Sequence, residues 1–180
     1  MSEILFALSF SHLAVMSTTD RPSTRAALWL AILAPVVFAL HVVEEAPTFV
    51  AWFNRLVEPD ITPANFVSVN GVAFAVTAVV AAVLGLRRDA GAGGLALAWF
   101  GLLFFCNGLF HLLATAVHRL YSPGAWTSAV LYLPFFAVLF YVVVKRLRLP
   151  VRTVLLVTLA GAVPMAVHGY LIIFRGSRLF

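Results

Sequence analysis

A chain of 180 residues that is 63% hydrophobic and only 11% charged is too apolar for a soluble domain, since soluble domains carry roughly 25% charged residues and about half apolar ones. The net charge of +5 comes from Lys and Arg set beside apolar runs, which reads as membrane topology and lipid headgroup contact and excludes a nucleic-acid partner. A single cysteine, Cys106, excludes an intrachain disulfide and any multi-cysteine zinc or iron–sulfur site, so a bound metal has only histidines and carboxylates to hold it.

In chain order, residues 4–16 are mostly apolar but too short to span a bilayer, and Glu3 rather than a basic flank precedes them. They make a poor signal peptide. Residues 1–25 are expected to form an N-terminal arm, either an interfacial segment or a misassigned start. Residues 26–180 then form one transmembrane helical domain. Five apolar runs, over about 26–46, 63–86, 94–118, 123–144 and 152–174, reach the roughly 17–25 residues a membrane helix needs.

The first run carries the strongest signal. Every residue from 26 to 43 is apolar except His41, and Glu44 and Glu45 follow to complete the sequence HVVEE. An ionisable side chain at membrane depth costs about 2.5–3.5 kcal/mol on insertion scales and is a functional-site hypothesis by default. Positions i, i+3 and i+4 share a helix side, so one imidazole and two carboxylates here can bind a cation or a proton. The competing reading is a helix end whose acids snorkel to water. The depth of His41 and the largely apolar sequence beyond the acids weigh against it. HVVEE is also not the zincin pattern HExxH, whose two ligating histidines stand four apart.

Beyond it, Phe49, Trp52, Phe53 and Leu56 fall on one face of a short helix at the membrane interface. A plain anchor with Trp at headgroup level is favoured there over a lid. Thr62-Pro63 reads as an N-cap followed by proline at the first helical position. The second run places Asn70 about two turns in. Arg87-Arg88-Asp89 with Gly91, Gly93 and Gly94 is a turn, and the third run spaces Asn107 and His111 at i, i+4. His118, beside Arg119, belongs to the mouth. Tyr121-Ser122-Pro123-Gly124 supplies an N-cap serine and first-position proline to the fourth run, where open amides and the helix dipole favour an anion such as phosphate or carboxylate. Ordinary capping explains this pattern equally well. Tyr132 and Pro134 follow. The fifth run holds Gly161, Pro164 and His168, and kinks are expected at both prolines.

Basic residues orient the chain. Arg21, Arg25, Arg87, Arg88, Lys145, Arg146, Arg148 and Arg152 fall on one side, against Arg55, Arg119, Arg175 and Arg178 on the other. The positive-inside rule puts the N-terminus in the cytoplasm. His41, His111 and His168 then lie 15, 17 and 16 residues after span starts near 26, 94 and 152, at one level in the outer half of the membrane. Asn70 and Tyr132 arrive at a similar level from the opposite direction.

HVVEE, a later histidine and YSPG together resemble the HXXEE family of bacterial integral membrane proteins over the first four spans. The match gives His41, Glu44 and Glu45 for the first motif and Tyr121, Pro123 and Gly124 for the last. His111, which lies between the two motifs, is the best match to the further histidine, with His168 as the alternative. The resemblance implies a metal-dependent membrane enzyme without naming a reaction, and a bacterial cytoplasmic membrane.

The expectation is therefore an all-α polytopic bundle of about five transmembrane helices acting on a lipid-soluble substrate among membrane lipids. His41, Glu45, His111 and His168 would hold a divalent metal, zinc first, iron or manganese if both glutamates ligate. Glu44 would be the general base of a hydrolase or transferase. Asn70, Asn107, Tyr121, Ser122, Gly124 and Tyr132 would contact substrate or an anion. A proton- or ion-coupled transporter and a non-catalytic metal-binding protein are the other classes open to this sequence. Few polar residues in the opposite half, beyond Thr77, Tyr141 and Thr158, argue against the transporter.

Overall fold

The computed structural model describes residues 21–179, so the 4–16 segment lies outside the described residues. Within them the chain is helical, and five helices are long and apolar enough to cross a membrane. In a bilayer core no water satisfies backbone groups, and the helix does so within one segment; runs rich in Ala, Val, Leu and Phe leave the chain no other stable form there. We name the helices α1 (Arg21–Glu45), α2 (Phe49–Phe53), α3 (Pro63–Arg87), α4 (Ala90–His118), α5 (Ala125–Lys145) and α6 (Val151–Arg175). These are the spacings the hydropathy predicts.

Local chemistry sets the ends. Thr62 accepts from the Asn65 amide while Asn65 reaches back to the Thr62 amide, a reciprocal cap ahead of Pro63. Arg88 closes α3 in the left-handed region at φ 52°, and the Asp89 carboxylate accepts the Ala92 amide to open α4. Two stretches wind as π-helix, Gly101–Cys106 in α4 and Ser128–Tyr132 in α5. Pro134 lacks an amide hydrogen and crowds the turn before it, so the deviation expected next to Tyr132 takes the form of this wider turn. The helix of α6 continues through Pro164.

α1 packs along α3, α4 lies between α3 and α6, and α5 closes the bundle against α1 and α4. Small residues set the closest crossings, as is usual where lipid gives no hydrophobic drive. A Cβ on Gly161 would run into the Ala98 backbone, and one on Gly85 would stand 3.0 Å from the Ala31 Cβ. Outward faces are apolar, with Trp29, Val43, Val72 and Leu86 more than half exposed. Buried polar residues gather mainly where α1, α4 and α5 meet: His41, Glu45, His111, Ser122 and Ser128. α3 and α6 share no extensive contact, and this gap fixes where the cavity opens.

The inward turn of α2 differs from the anchor expectation. Trp52 and Phe53 are each only 4% exposed. Phe49 meets Phe66 at 5.4 Å between ring centroids, and Trp52 meets Phe110 at 6.2 Å. The space left between α3 and α6 takes these rings, so the amphipathic face covers protein instead of lipid.

Candidate metal centre

The C-terminal turn of α1 presents His41 and Glu45, and α4 presents His111 across from them. At 3.6 residues per turn, Glu45 lies about 40° round the helix from His41, while Glu44 lies about 60° the other way. The two acids therefore face different neighbours. Glu45 Oε1 stands 3.5 Å from His41 Nε2 and 3.3 Å from His111 Nε2, with all three residues almost fully buried. Two ligands at about 2.0–2.1 Å from a tetrahedral metal stand about 3.3–3.4 Å apart. A charge-assisted hydrogen bond would be nearer 2.7–2.9 Å. The separations fit shared ligation better than direct pairing, and these three residues form a group that could hold a metal ion.

The two imidazoles are locked from behind. His41 Nδ1 lies 2.7 Å from Thr127 Oγ1, and that hydroxyl donates to the Gly124 carbonyl, which leaves its lone pair to accept Nδ1–H. Nε2 is then the bare nitrogen, and it is buried without a hydrogen-bond partner. His111 Nδ1 lies 3.0 Å from Ser122 Oγ. Ser122 is itself fixed: its amide donates to Thr115 Oγ1, whose hydroxyl donates to the His111 carbonyl. Such outer partners set the orientation and tautomer of ligating histidines. The His41 ring stacks on Tyr132 at 4.1 Å between centroids, and Tyr132 stacks on Phe104 at 4.3 Å. The Tyr132 hydroxyl, buried and without a partner, lies within Coulombic reach of Glu45.

Glu44 does different work from that expected of it. Its Oε1 accepts the amides of Gly124 and Trp126, each at 3.1 Å, and its Oε2 accepts the Thr127 amide at 2.7 Å. The Tyr121 hydroxyl also donates to Oε1. Burial, then its hydrogen bond to Glu44, hold the Tyr121 phenol above its usual range and keep it a donor. Three donors on Oε1 and one on Oε2 hold this carboxylate against the start of α5, and Glu44 does not line the cavity beside the histidines. The general-base assignment is corrected: Glu44 is the clamp on the α5 N-terminus. The anion expected at YSPG is supplied by the chain itself: Tyr121 and Gly124 bind the Glu44 carboxylate. Ser122 holds His111 and is not the N-cap. Gly124 takes that position at φ 92°.

His168 is also corrected. It lies outside the group of three, and its Nδ1 accepts the Leu179 amide at 3.1 Å. It does line the same cavity, with His41, Glu45, Asn70 and Asn107. Asn70 donates to the Phe66 carbonyl and keeps its oxygen available. Thr127 was not foreseen. Its one signal was its place one turn beyond the YSPG glycine, which by itself says nothing of a histidine 86 residues earlier.

The cavity holds about 470 Å³ between α1, α3, α4 and α6, beneath α2 and the C-terminal tail, and its walls are mostly apolar. That volume is in the range of small-molecule sites. Val69 and Val72 line it and are also more than half exposed, so it opens sideways beside α3.

A family model described as a protein of unknown function with an HXXEE motif matches residues 32–140. The chain belongs to the HXXEE family. The matched stretch runs from α1 into α5 and contains both glutamates, His41, His111 and YSPG; His168 falls outside it. The motif's two glutamates thus have separate tasks, Glu45 beside the histidines and Glu44 under α5. No curated protein and no solved structure gave a match.

Proposed function

We propose that this is a metal-dependent membrane enzyme of hydrolase or transferase type, acting on a lipid-soluble substrate that enters sideways from the bilayer. The observation that carries the reading is the convergence of His41 Nε2, His111 Nε2 and Glu45 Oε1 at ligand spacing, beside a mostly apolar cavity. Three protein ligands with a position left open are the pattern of catalytic sites, whereas structural sites are closed by four. A zinc ion so held would polarise a carbonyl or phosphoryl oxygen and activate water. The same donor set also suits ferrous iron, and elemental analysis chooses between them.

Each residue then has a task. Thr127 and Ser122 keep Nδ1 of His41 and His111 occupied, so both Nε2 atoms face the ion. Tyr132, fully buried and outside the cavity wall, backs the His41 ring and holds it in place instead of contacting substrate. Asn70 and Asn107 orient the substrate from the cavity wall. Phe49 and Phe53 of α2 exclude water from above. The transporter reading lacks comparable support, because Phe100, Phe104, Phe135 and Leu139 pack as core around and beyond Tyr132.

The test uses a membrane lipid extract incubated with purified protein, stripped by chelator and then returned to zinc or iron. Mass spectrometry should find a lipid species converted only in the metal-replete sample and not by Glu45→Gln. A metal-replete protein that leaves the extract unchanged would remove the enzymatic reading.

We place the site toward the external face by the distribution of basic residues. With Cys106→Ala as background, a membrane-impermeant thiol reagent should label Arg55→Cys in intact cells and spare Arg88→Cys. The reverse pattern would invert the orientation and the side of the membrane to which the site is nearer.

A further inference from the structure

The C-terminal tail is folded back over the cavity, opposite its sideways opening. Gly176 ends α6 at φ 59°, its carbonyl accepts the Glu58 amide, the Ser177 amide returns to the Leu171 carbonyl, and the Leu179 amide donates to His168. This course brings Arg178 into the cavity lining beside His168, with Asn65 and Asn70 also on the wall. Among the described residues no Asp or Glu pairs with Arg178. Among the described residues that line the cavity the one acidic side chain, Glu45, is set against the two imidazoles. A guanidinium that only served membrane topology would need neither the folded tail nor a place in the cavity wall.

We propose that Arg178 is the anchor of an anion subsite, and that the substrate is an amphiphile with a phosphate or carboxylate headgroup. Its apolar chain leaves through the gap between α3 and α6. Arg presents a planar fork of donors that matches such oxyanions, and the Asn65 side-chain NH₂, whose oxygen is taken by Thr62, adds a neutral donor. The cavity walls, Phe38, Val69, Val72 and Ile172 among them, take the first part of the chain. Only the substrate role rests on the enzymatic reading above; the anion subsite stands or falls by itself.

Native mass spectrometry of the full chain in a neutral saccharide detergent tests it, with a lysophosphatidic acid and the monoacylglycerol of equal chain length as probes. The wild type should prefer the phosphate lipid by about tenfold or more, as a charge-assisted contact implies. Arg178→Gln should erase that preference and leave monoacylglycerol binding unchanged. Arg175→Gln, at the same membrane end but outside the cavity, should keep it. Equal affinity of the wild type for the two probes, or retention of the preference in Arg178→Gln, overturns the subsite. Loss in Arg175→Gln would reduce it to general surface charge. Displacement of the bound lipid by equimolar inorganic phosphate would make the ligand a free anion and overturn the substrate class. Metal content and probe binding of His41→Ala keep the two readings apart. This variant should lose metal yet retain the preference, and loss of both would place the phosphate on the metal instead of Arg178.

Discussion

Gly124→Ala is expected to abolish metal binding. The backbone there has φ 92°, a region that an L side chain enters at about 1–2 kcal/mol. The larger effect is steric. A Cβ at this position would stand 2.6 Å from His41 Cε1, and 3.1 Å from both His111 Cε1 and His41 Nε2. Neither ring has room to retreat. His41 is backed by Tyr132 and then Phe104, and His111 by Phe110 at 5.0 Å. Overpacking of this kind costs about 1–3 kcal/mol, and the displaced rings no longer share one ion. Metal affinity should fall at least a hundredfold, with a lower melting temperature. Gly71→Ala is the control, since nothing lies within 4 Å of a Cβ there; it should change neither. Retention of metal by Gly124→Ala would show that the histidines do not need the fixed spacing claimed for them.

Glu44→Gln should behave unlike a lost general base. The glutamine must turn an NH₂ toward at least one donor among the Gly124, Trp126 and Thr127 amides and the Tyr121 hydroxyl. Hydrogen bonds to a charged group are worth about 1.5–3 kcal/mol, and an anion at a helix N-terminus adds up to about 2 kcal/mol in favourable geometry. The start of α5 should loosen, by about 2–5 kcal/mol in all. Ser122 and Thr127, which orient the two imidazoles, sit in this same turn. Weakened outer partners of metal ligands typically lower affinity by about 10–100-fold. Thermal unfolding and metal affinity should therefore fall together. Wild-type stability and metal content with activity abolished would restore Glu44 as the base.

The spans were legible because hydropathy alone defines them, and Thr62-Pro63 marked its helix start through capping that needs no tertiary partner. His41, Glu45 and His111 were legible because ionisable groups in apolar sequence have few bland explanations. His168 shows the limit of that argument. Residue counting fixes height along a helix, and His168 does line the cavity, but height says nothing of azimuth, and the tail's Leu179 amide occupies one of its nitrogens. Glu44 shows another limit. The YSPG pattern implies amides open to an anion but not which anion, and the one they hold sits 80 residues away in α1. The inward face of α2 was hidden for the same reason: amphipathicity defines an apolar side, and only the splay of α3 from α6 decides whether lipid or protein receives it.

The central claim is that His41, His111 and Glu45 hold one metal ion, and elemental analysis of the purified full chain tests it most directly. The wild type should carry close to one equivalent of zinc or iron. His41→Ala, His111→Ala and Glu45→Gln should each lose it, while His168→Ala keeps it. A wild-type protein free of transition metal after loading, or a His168→Ala variant as depleted as His41→Ala, would contradict the three-residue centre.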